Sequence, residues 1–195
     1  MKTEQNREKV FLSDVRIVPV SEQPPRLLPQ LAQIYYQSWS PQGLCASLEI
    51  AQDKINRFDP AQSFAVVGSD GTPYALINSI LTNAVDIDEL VRLFPTYQSV
   101  EQASFDHRVV SNPSFRICFS LTALPNHRVA LPGSTTDLSL SHFLINHFTK
   151  PVIVYSRWPA VSMHQHLGAK IVAVLDNSRP EDIQSQGQNV LLQYS

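Results

Sequence analysis

Apolar runs of strand length alternate with helical apolar stripes along almost the whole chain, and this alternation limits the possible folds. The longest run covers residues 115–124, and the hairpin signal Asp70-Gly71 separates two shorter runs at 64–67 and 74–80. The predicted order is β, α, α, β, β, an inserted helix, then β, α, β, α, β, β. Such a mixture predicts one mixed α/β sheet of about seven strands.

Length and composition narrow the class of protein further. The chain has 195 residues, of which 43% are hydrophobic, so we expect a flexible leader over residues 1–13 and a single domain over 14–195. A net charge of −2 argues against a nucleic-acid binder, which needs a clustered basic face. No apolar run approaches the ~18 residues of a membrane span, and the polar N-terminus lacks the apolar region of a secretory signal. We therefore expect a cytoplasmic protein with no nucleic-acid or membrane partner.

The chain contains too few cysteines for a disulfide framework or for a zinc site built from cysteines alone. The two present are Cys45 and Cys118. His142 and His147 are five residues apart on a predicted helix, so they do not share a face. We therefore expect no metal.

Two segments between predicted strands carry the functional signal. Residues 125–133 follow the longest strand and precede Ser134, the first of four residues of the N-cap type. A turn there leaves backbone N–H groups free at a helix N-terminus, which attracts an anion. The second segment, residues 160–169, has the pattern of a short helix that ends at Gly168, a typical C′ residue.

Together these segments resemble the GNAT acyltransferase superfamily over residues 14–195. Pro125, Arg128 and Gly133 match the spacing of the family's P-x-x-[R/Q]-x-x-G-x-[G/A] signature, although Leu131 replaces its first glycine. The positions of its later motif A-x-x-F-Y-x-x-x-G-F fall on Ala160, Met163, His164, Gly168 and Ala169, so that His164 stands where the family has a tyrosine. The resemblance implies an α/β (α+β) fold with a GNAT-like mixed, mostly antiparallel sheet of about seven strands flanked by helices.

The resemblance also implies an acyl-coenzyme A substrate, acetyl-CoA or malonyl-CoA, and no metal. By the same resemblance, the first segment cradles the pyrophosphate of coenzyme A. The residues expected to bind it are Ala123, Leu124, Arg128, Val129, Ala130, Gly133 and Ser134.

A closer similarity points to the GNAT-like loading domains of polyketide synthases. It rests on residues 168–172, 177–182, Gly187 and 190–191. The resemblance implies decarboxylation of a malonyl or methylmalonyl thioester, or acyl transfer to the thiol of an acyl carrier protein. The catalytic set of those loading domains corresponds here to His164, Thr122, Arg179 and Trp39.

Each member of this set suits one task in a decarboxylation. Thr122 and His164 would donate hydrogen bonds to the enolate oxygen, and His164 would also protonate the carbanion carbon. Arg179 would hold the substrate carboxylate in a bidentate pair. Trp39 would form an apolar wall that excludes water.

Two alternatives stay open at this point. The first is a conventional CoA-dependent N-acetyltransferase acting on a small amine. The run 115–124 has no acidic residue, so its general base would come from elsewhere, such as Asp106 or His107. The second is a non-catalytic GNAT-like binding module. Leu131 places a side chain in the phosphate-binding segment, and Pro132 has no N–H to donate.

Overall fold

The computed structural model of the chain describes residues 8–124, 127–130, 138–148, 151–175 and 189–194. The strands are β1 (Glu8–Phe11), β2 (Val15–Pro19), β3 (Ser63–Gly68), β4 (Pro73–Thr82), β5 (Phe115–Ala123), β6 (His127–Ala130), β7 (Leu138–Ser139), β8 (Val152–Arg157), β9 (Lys170–Leu175) and β10 (Asn189–Tyr194). The helices are α1 (Leu27–Trp39), α2 (Leu48–Arg57), α3 (Ile87–Leu93), α4 (Tyr97–Phe105), α5 (Leu140–Ile145) and α6 (Trp158–His166).

Seven of these strands form one open sheet in the order β2-β3-β4-β5-β8-β10-β9. β2 pairs antiparallel with β3, and β10 pairs antiparallel with both β8 and β9. β5 and β8 are parallel. The predicted seven-stranded, mostly antiparallel sheet with flanking helices is therefore confirmed.

The chain divides into two compact units, each made of two segments, and β4 and β5 contribute residues to both. The first unit consists of Met1–Ile77 and Ser120–His147. In it α1 packs on α2, whose first turn is capped by the Ser47 hydroxyl, which accepts a hydrogen bond from the Ile50 amide. Its buried core includes Leu31, Tyr35, Ile55, Val66 and Leu144.

The second unit consists of Asn78–Phe119 and Phe148–Ser195. It holds the predicted insertion, which forms two helices, α3 and α4, begun by caps at Asp86 and Thr96. In it α6 packs against β8, β9 and β10. Its buried core includes Leu90, Ile117, Phe119, Ile153, Leu191 and Leu192.

A second, smaller sheet differs from the sequence-based expectation. It has the order β1-β6-β7, with β1 and β6 parallel and β6 and β7 antiparallel. β1 lies where we expected a flexible leader, and β6 lies where we expected a turn. Each of these strands has at most four residues, and pairing with other strands, rather than a local pattern, gives them their strand conformation.

In the described part of the chain, no helix is both long and apolar enough to cross a membrane.

Candidate functional site

The His164 side chain lies on α6 in the second unit and is buried at 3% exposure. Its Nδ1 atom lies 2.8 Å from the hydroxyl oxygen of Tyr194 on β10, and the two rings meet edge to face, 6.1 Å between centroids. α6 ends just beyond this point, because Gly168 adopts a φ of +89° and the Leu167 and Ala169 amides donate to the His164 carbonyl. The predicted C′ glycine therefore closes the helix where the imidazole is held.

Burial keeps this histidine–tyrosine pair uncharged. Removal from water lowers the pKa of His164 from 6.5 to about 4, because the charged imidazolium loses its hydration. Burial also raises the pKa of the Tyr194 hydroxyl, and the nearby Cys118 adds to that increase. At neutral pH the pair therefore consists of a neutral imidazole and a protonated phenol.

Cys118 belongs to the same sheet as Tyr194, and its own thiol is fully buried. Burial raises its pKa to about 12, and the positive charge of Arg116 opposes that shift. The thiol therefore stays protonated at neutral pH, so the structure does not support a thiolate nucleophile at this position.

Sequence reasoning did not select Arg116, which shares a face of the sheet with Tyr194. Arg116 is paired with Val152, and Val152 with Tyr194, so the three residues form a row across β5, β8 and β10. The Arg116 guanidinium donates to the Ser79 hydroxyl at 2.6 Å and stacks over the Phe148 ring at 4.7 Å. An arginine inside an apolar run was the signal that could have identified it.

Thr122 lies on β5 in the first unit and is almost fully buried at 1% exposure. Its hydroxyl donates to the Leu76 carbonyl of β4 at 3.4 Å. That distance is beyond the usual range for an O–H donor, so the bond is weak. The hydroxyl can therefore turn toward a better acceptor at small cost.

Trp39 forms the last residue of α1 and belongs to the same unit as Thr122. Its indole Nε1 atom is buried and has no hydrogen-bond partner among the described residues. The neighbouring Ser38 hydroxyl donates to the Ala123 carbonyl at 3.3 Å, which ties the end of α1 to the end of β5. This bond therefore brings the residue before Trp39 close to the residue after Thr122.

β5 has an irregularity that the sequence does not reveal. Its pairing with β8 covers Arg116 to Cys118, and Ser120, two residues later, has a φ of +47° although it is not glycine. A left-handed residue inside a strand is a mark of a bulge and costs about 1–3 kcal/mol. No glycine marks the position, and the local sequence reads as a regular strand.

β8 lies between two other strands of the sheet. On one side it pairs with β10 along its whole length, from Val152 to Arg157. On the other side its register with β5 covers Val152 to Val154.

The predicted pyrophosphate cradle has two described parts. The Leu124 amide donates to the Tyr74 carbonyl at 2.9 Å, so it already has an acceptor, and the Ala123 carbonyl accepts from Ser38. Arg128, Val129 and Ala130 belong to β6, which is a strand and not the expected loop. Gly133, Ser134 and the predicted catalytic Arg179 lie outside the described residues.

Three of the four predicted catalytic residues lie among the described residues. Trp39 and Thr122 belong to the first unit, linked through Ser38 and Ala123, and His164 belongs to the second. Within the described ranges, no group of three or more His, Cys, Asp and Glu side chains is arranged to hold a metal ion.

Solved structures resemble this chain over nearly its whole length. One is the loading GNATL domain of CurA from Lyngbya majuscula, with a TM-score of 0.60 and 16% identity over 93% of this chain and 96% of that one. Another is aminoglycoside 6'-acetyltransferase type Ii, with a TM-score of 0.52 and 14% identity over 92% and 96%. A third is an acyl-CoA N-acyltransferase from Pseudomonas aeruginosa, with a TM-score of 0.50 and 12% identity over 93% and 99%.

Sequence comparisons add no match to these structures. No protein-family model matches the chain, and no curated protein sequence matches it. The structural likenesses show that the chain has the GNAT fold.

Proposed function

From this fold we propose that the chain acts on acyl-coenzyme A thioesters. Its reaction is decarboxylation of a malonyl or methylmalonyl thioester, or transfer of the acyl group to the thiol of an acyl carrier protein. The observation that carries the proposal is the buried, neutral imidazole of His164, at the position that matches the family's later motif. The likeness to a loading GNATL domain supports the choice of reaction.

The decarboxylation needs a donor for the charge that it creates. The bond between the α-carbon and the carboxylate breaks, CO₂ leaves, and the electron pair moves to the thioester oxygen as an enolate. A neutral imidazole whose free nitrogen carries hydrogen donates to that oxygen and then delivers a proton to the α-carbon. Water then returns a proton to the ring, and the hydroxide that this leaves combines with the released CO₂ to give bicarbonate.

His164 suits this task because burial keeps it uncharged. An imidazolium would pair with the substrate carboxylate and hold it in the ground state, whereas a neutral donor gains most when the enolate forms. One preorganised donor of this kind typically contributes about 2.7–4 kcal/mol to the transition state. Thr122 would add a second donor, because its present bond to Leu76 is long and weak.

The remaining residues of the set would position the substrate. Arg179 would hold the carboxylate in a bidentate pair before it leaves. Trp39 would form an apolar wall, and its buried indole N–H, which has no partner among the described residues, would be available to a polar group of the substrate.

The direct experiment is to incubate the purified chain with malonyl-CoA and to measure acetyl-CoA and CO₂. A parallel incubation with acetyl-CoA and an acyl carrier protein tests the transfer reaction. The matched control is His164→Asn, because the asparagine side chain can still accept a hydrogen bond from Tyr194 while the second ring nitrogen is lost. Absence of both products in the wild-type chain would refute the enzyme proposal.

One observation favours a second candidate, a GNAT-like module that binds a partner without catalysis. β6, which contains part of the predicted cradle, pairs with β1 on one side and β7 on the other. Backbone groups committed to strand pairing are not free to bind phosphate. If the chain melts at the same temperature with and without ~1 mM coenzyme A, the module is favoured, because a ligand at 100 times its Kd adds ~2.7 kcal/mol.

A further inference from the structure

We infer that Tyr194 is a positioning residue that holds His164 in the tautomer with its hydrogen on Nε2. The inference starts from the buried hydrogen bond of 2.8 Å between the Tyr194 hydroxyl and Nδ1 of His164. Its contribution to turnover rests on the proposed function, whereas the tautomer is a property of the chain alone.

The direction of this hydrogen bond follows from the donor and acceptor strengths of the two side chains. A phenol, whose ordinary pKa is about 10, is a stronger donor than the N–H of a neutral imidazole. A bare imidazole nitrogen is in turn a stronger acceptor than a phenolic oxygen. The bond is therefore stronger when the Tyr194 hydroxyl donates to Nδ1 than when Nδ1 donates to the hydroxyl.

The surroundings keep the tyrosine hydroxyl a donor. Tyr194 is 5% exposed and His164 is 3% exposed, so water does not compete for the bond. Burial raises the pKa of Tyr194, which therefore keeps its hydrogen at neutral pH. The edge-to-face contact of the two rings also limits rotation of the imidazole.

The consequence is a division of labour between the two ring nitrogens. Nδ1 is occupied by Tyr194, and Nε2 carries a hydrogen and has no partner among the described residues. In this tautomer His164 is a hydrogen-bond donor and not a general base. Tyr194 therefore selects the chemistry of His164 without touching the substrate.

The test is ¹⁵N NMR of the full chain labelled at histidine, at neutral pH. The chain has six histidines, and the spectrum of His164→Asn identifies the resonances of His164. We expect wild-type His164 to show hydrogen on Nε2 only. Hydrogen on Nδ1, or a charged ring, would overturn the inference before any change is made at Tyr194.

Tyr194→Phe then tests the cause, because it removes the hydroxyl and keeps the ring. We expect His164 to become a mixture of both tautomers, and kcat to fall about 10- to 100-fold with KM little changed. The matched control is Tyr155→Phe, which removes the hydroxyl of a tyrosine that is equally exposed, at 5%, on the neighbouring strand β8. It should leave the His164 spectrum unchanged.

The two proposals fail separately in this experiment. If Tyr194→Phe keeps the pure Nε2–H spectrum, or if both tyrosine variants change it equally, Tyr194 does not set the tautomer. If the wild-type chain shows the expected tautomer but neither acyl transfer nor decarboxylation, only the proposed function is refuted.

Discussion

His164 and Tyr194 join α6 to β10 through the 2.8 Å contact between Nδ1 and the hydroxyl oxygen. The bond lies inside the protein, and its loss would leave a buried polar group without a partner, which costs about 1–3 kcal/mol. Removal of the imidazole by alanine would therefore lower stability as well as activity. A test of catalysis needs a substitution that keeps this bond.

We predict that His164→Asn keeps the fold and loses the reaction. The asparagine oxygen replaces Nδ1 as the acceptor for Tyr194, whereas nothing replaces Nε2. The decarboxylation rate should fall about 10²- to 10³-fold, as expected for loss of one oxyanion donor. The rate is measured as acetyl-CoA formed from malonyl-CoA, and circular dichroism melting checks the fold. An active variant with a native melting curve would show that His164 is not catalytic.

The stability of the protein should fall as the pH is lowered from about 6.5 to about 4. In this range His164 is protonated in the unfolded chain, where its pKa has the ordinary value of 6.5. In the folded chain it stays neutral until about pH 4. His164 therefore contributes up to about 3 kcal/mol above pH 6.5, and that contribution is lost on acidification. Its neighbours Tyr194 and Cys118 stay neutral throughout.

Urea unfolding at several pH values measures this dependence. Carboxylates also titrate near pH 4, so the comparison is between the wild-type chain and His164→Asn. The variant should lose less stability than the wild type between pH 6.5 and pH 4. Equal losses would mean that His164 titrates normally in the folded protein.

Ser120→Thr should destabilise the protein, although threonine ordinarily favours strands. Ser120 has a φ of +47°, and a β-branched side chain is strained in that region. We expect a loss of about 1–3 kcal/mol in the free energy of unfolding. The control is Ser156→Thr, at a buried serine in the regular strand β8. A Ser120→Thr variant as stable as this control would argue against the bulge.

Removal of residues 1–11 should tighten the binding of coenzyme A. β1 is an edge strand that pairs with β6, whose residues Arg128 to Ala130 belong to the predicted cradle. If the phosphates bind there, β1 must first leave. The shortened chain no longer has to break one or two backbone hydrogen bonds, each of which contributes about 1 kcal/mol net. Its Kd for coenzyme A should therefore be about 10-fold lower. Isothermal titration calorimetry measures the two values.

Two single prolines test the same strand at full length. Successive N–H groups of a strand point to opposite sides, so either Lys9→Pro or Val10→Pro removes an N–H that faces β6, and the other serves as its control. One of the two should reproduce the effect of the deletion. Unchanged affinity in all three variants would show that β1 does not compete with coenzyme A.

Much of the architecture could be predicted because its signals are local. The hairpin at Asp70-Gly71, the cap at Ser47 and the helix end at Gly168 each depend on the conformational preferences of a few adjacent residues. His164 was selected by its place in a motif, and its burial agrees with a side chain that faces the sheet. The catalytic and cofactor-binding assignments stay predictions.

The order of strands and helices in the seven-stranded sheet follows from the sequence alone, since apolar periodicity records which face of each segment is buried. The pairing of residues 127–130 with β1 arises only in the folded chain, because a four-residue strand exists only where a partner supplies its hydrogen bonds. The left-handed conformation of Ser120 and the contact between Tyr194 and His164 also arise only there. These features depend on contacts between segments far apart in the chain, and no local pattern encodes them.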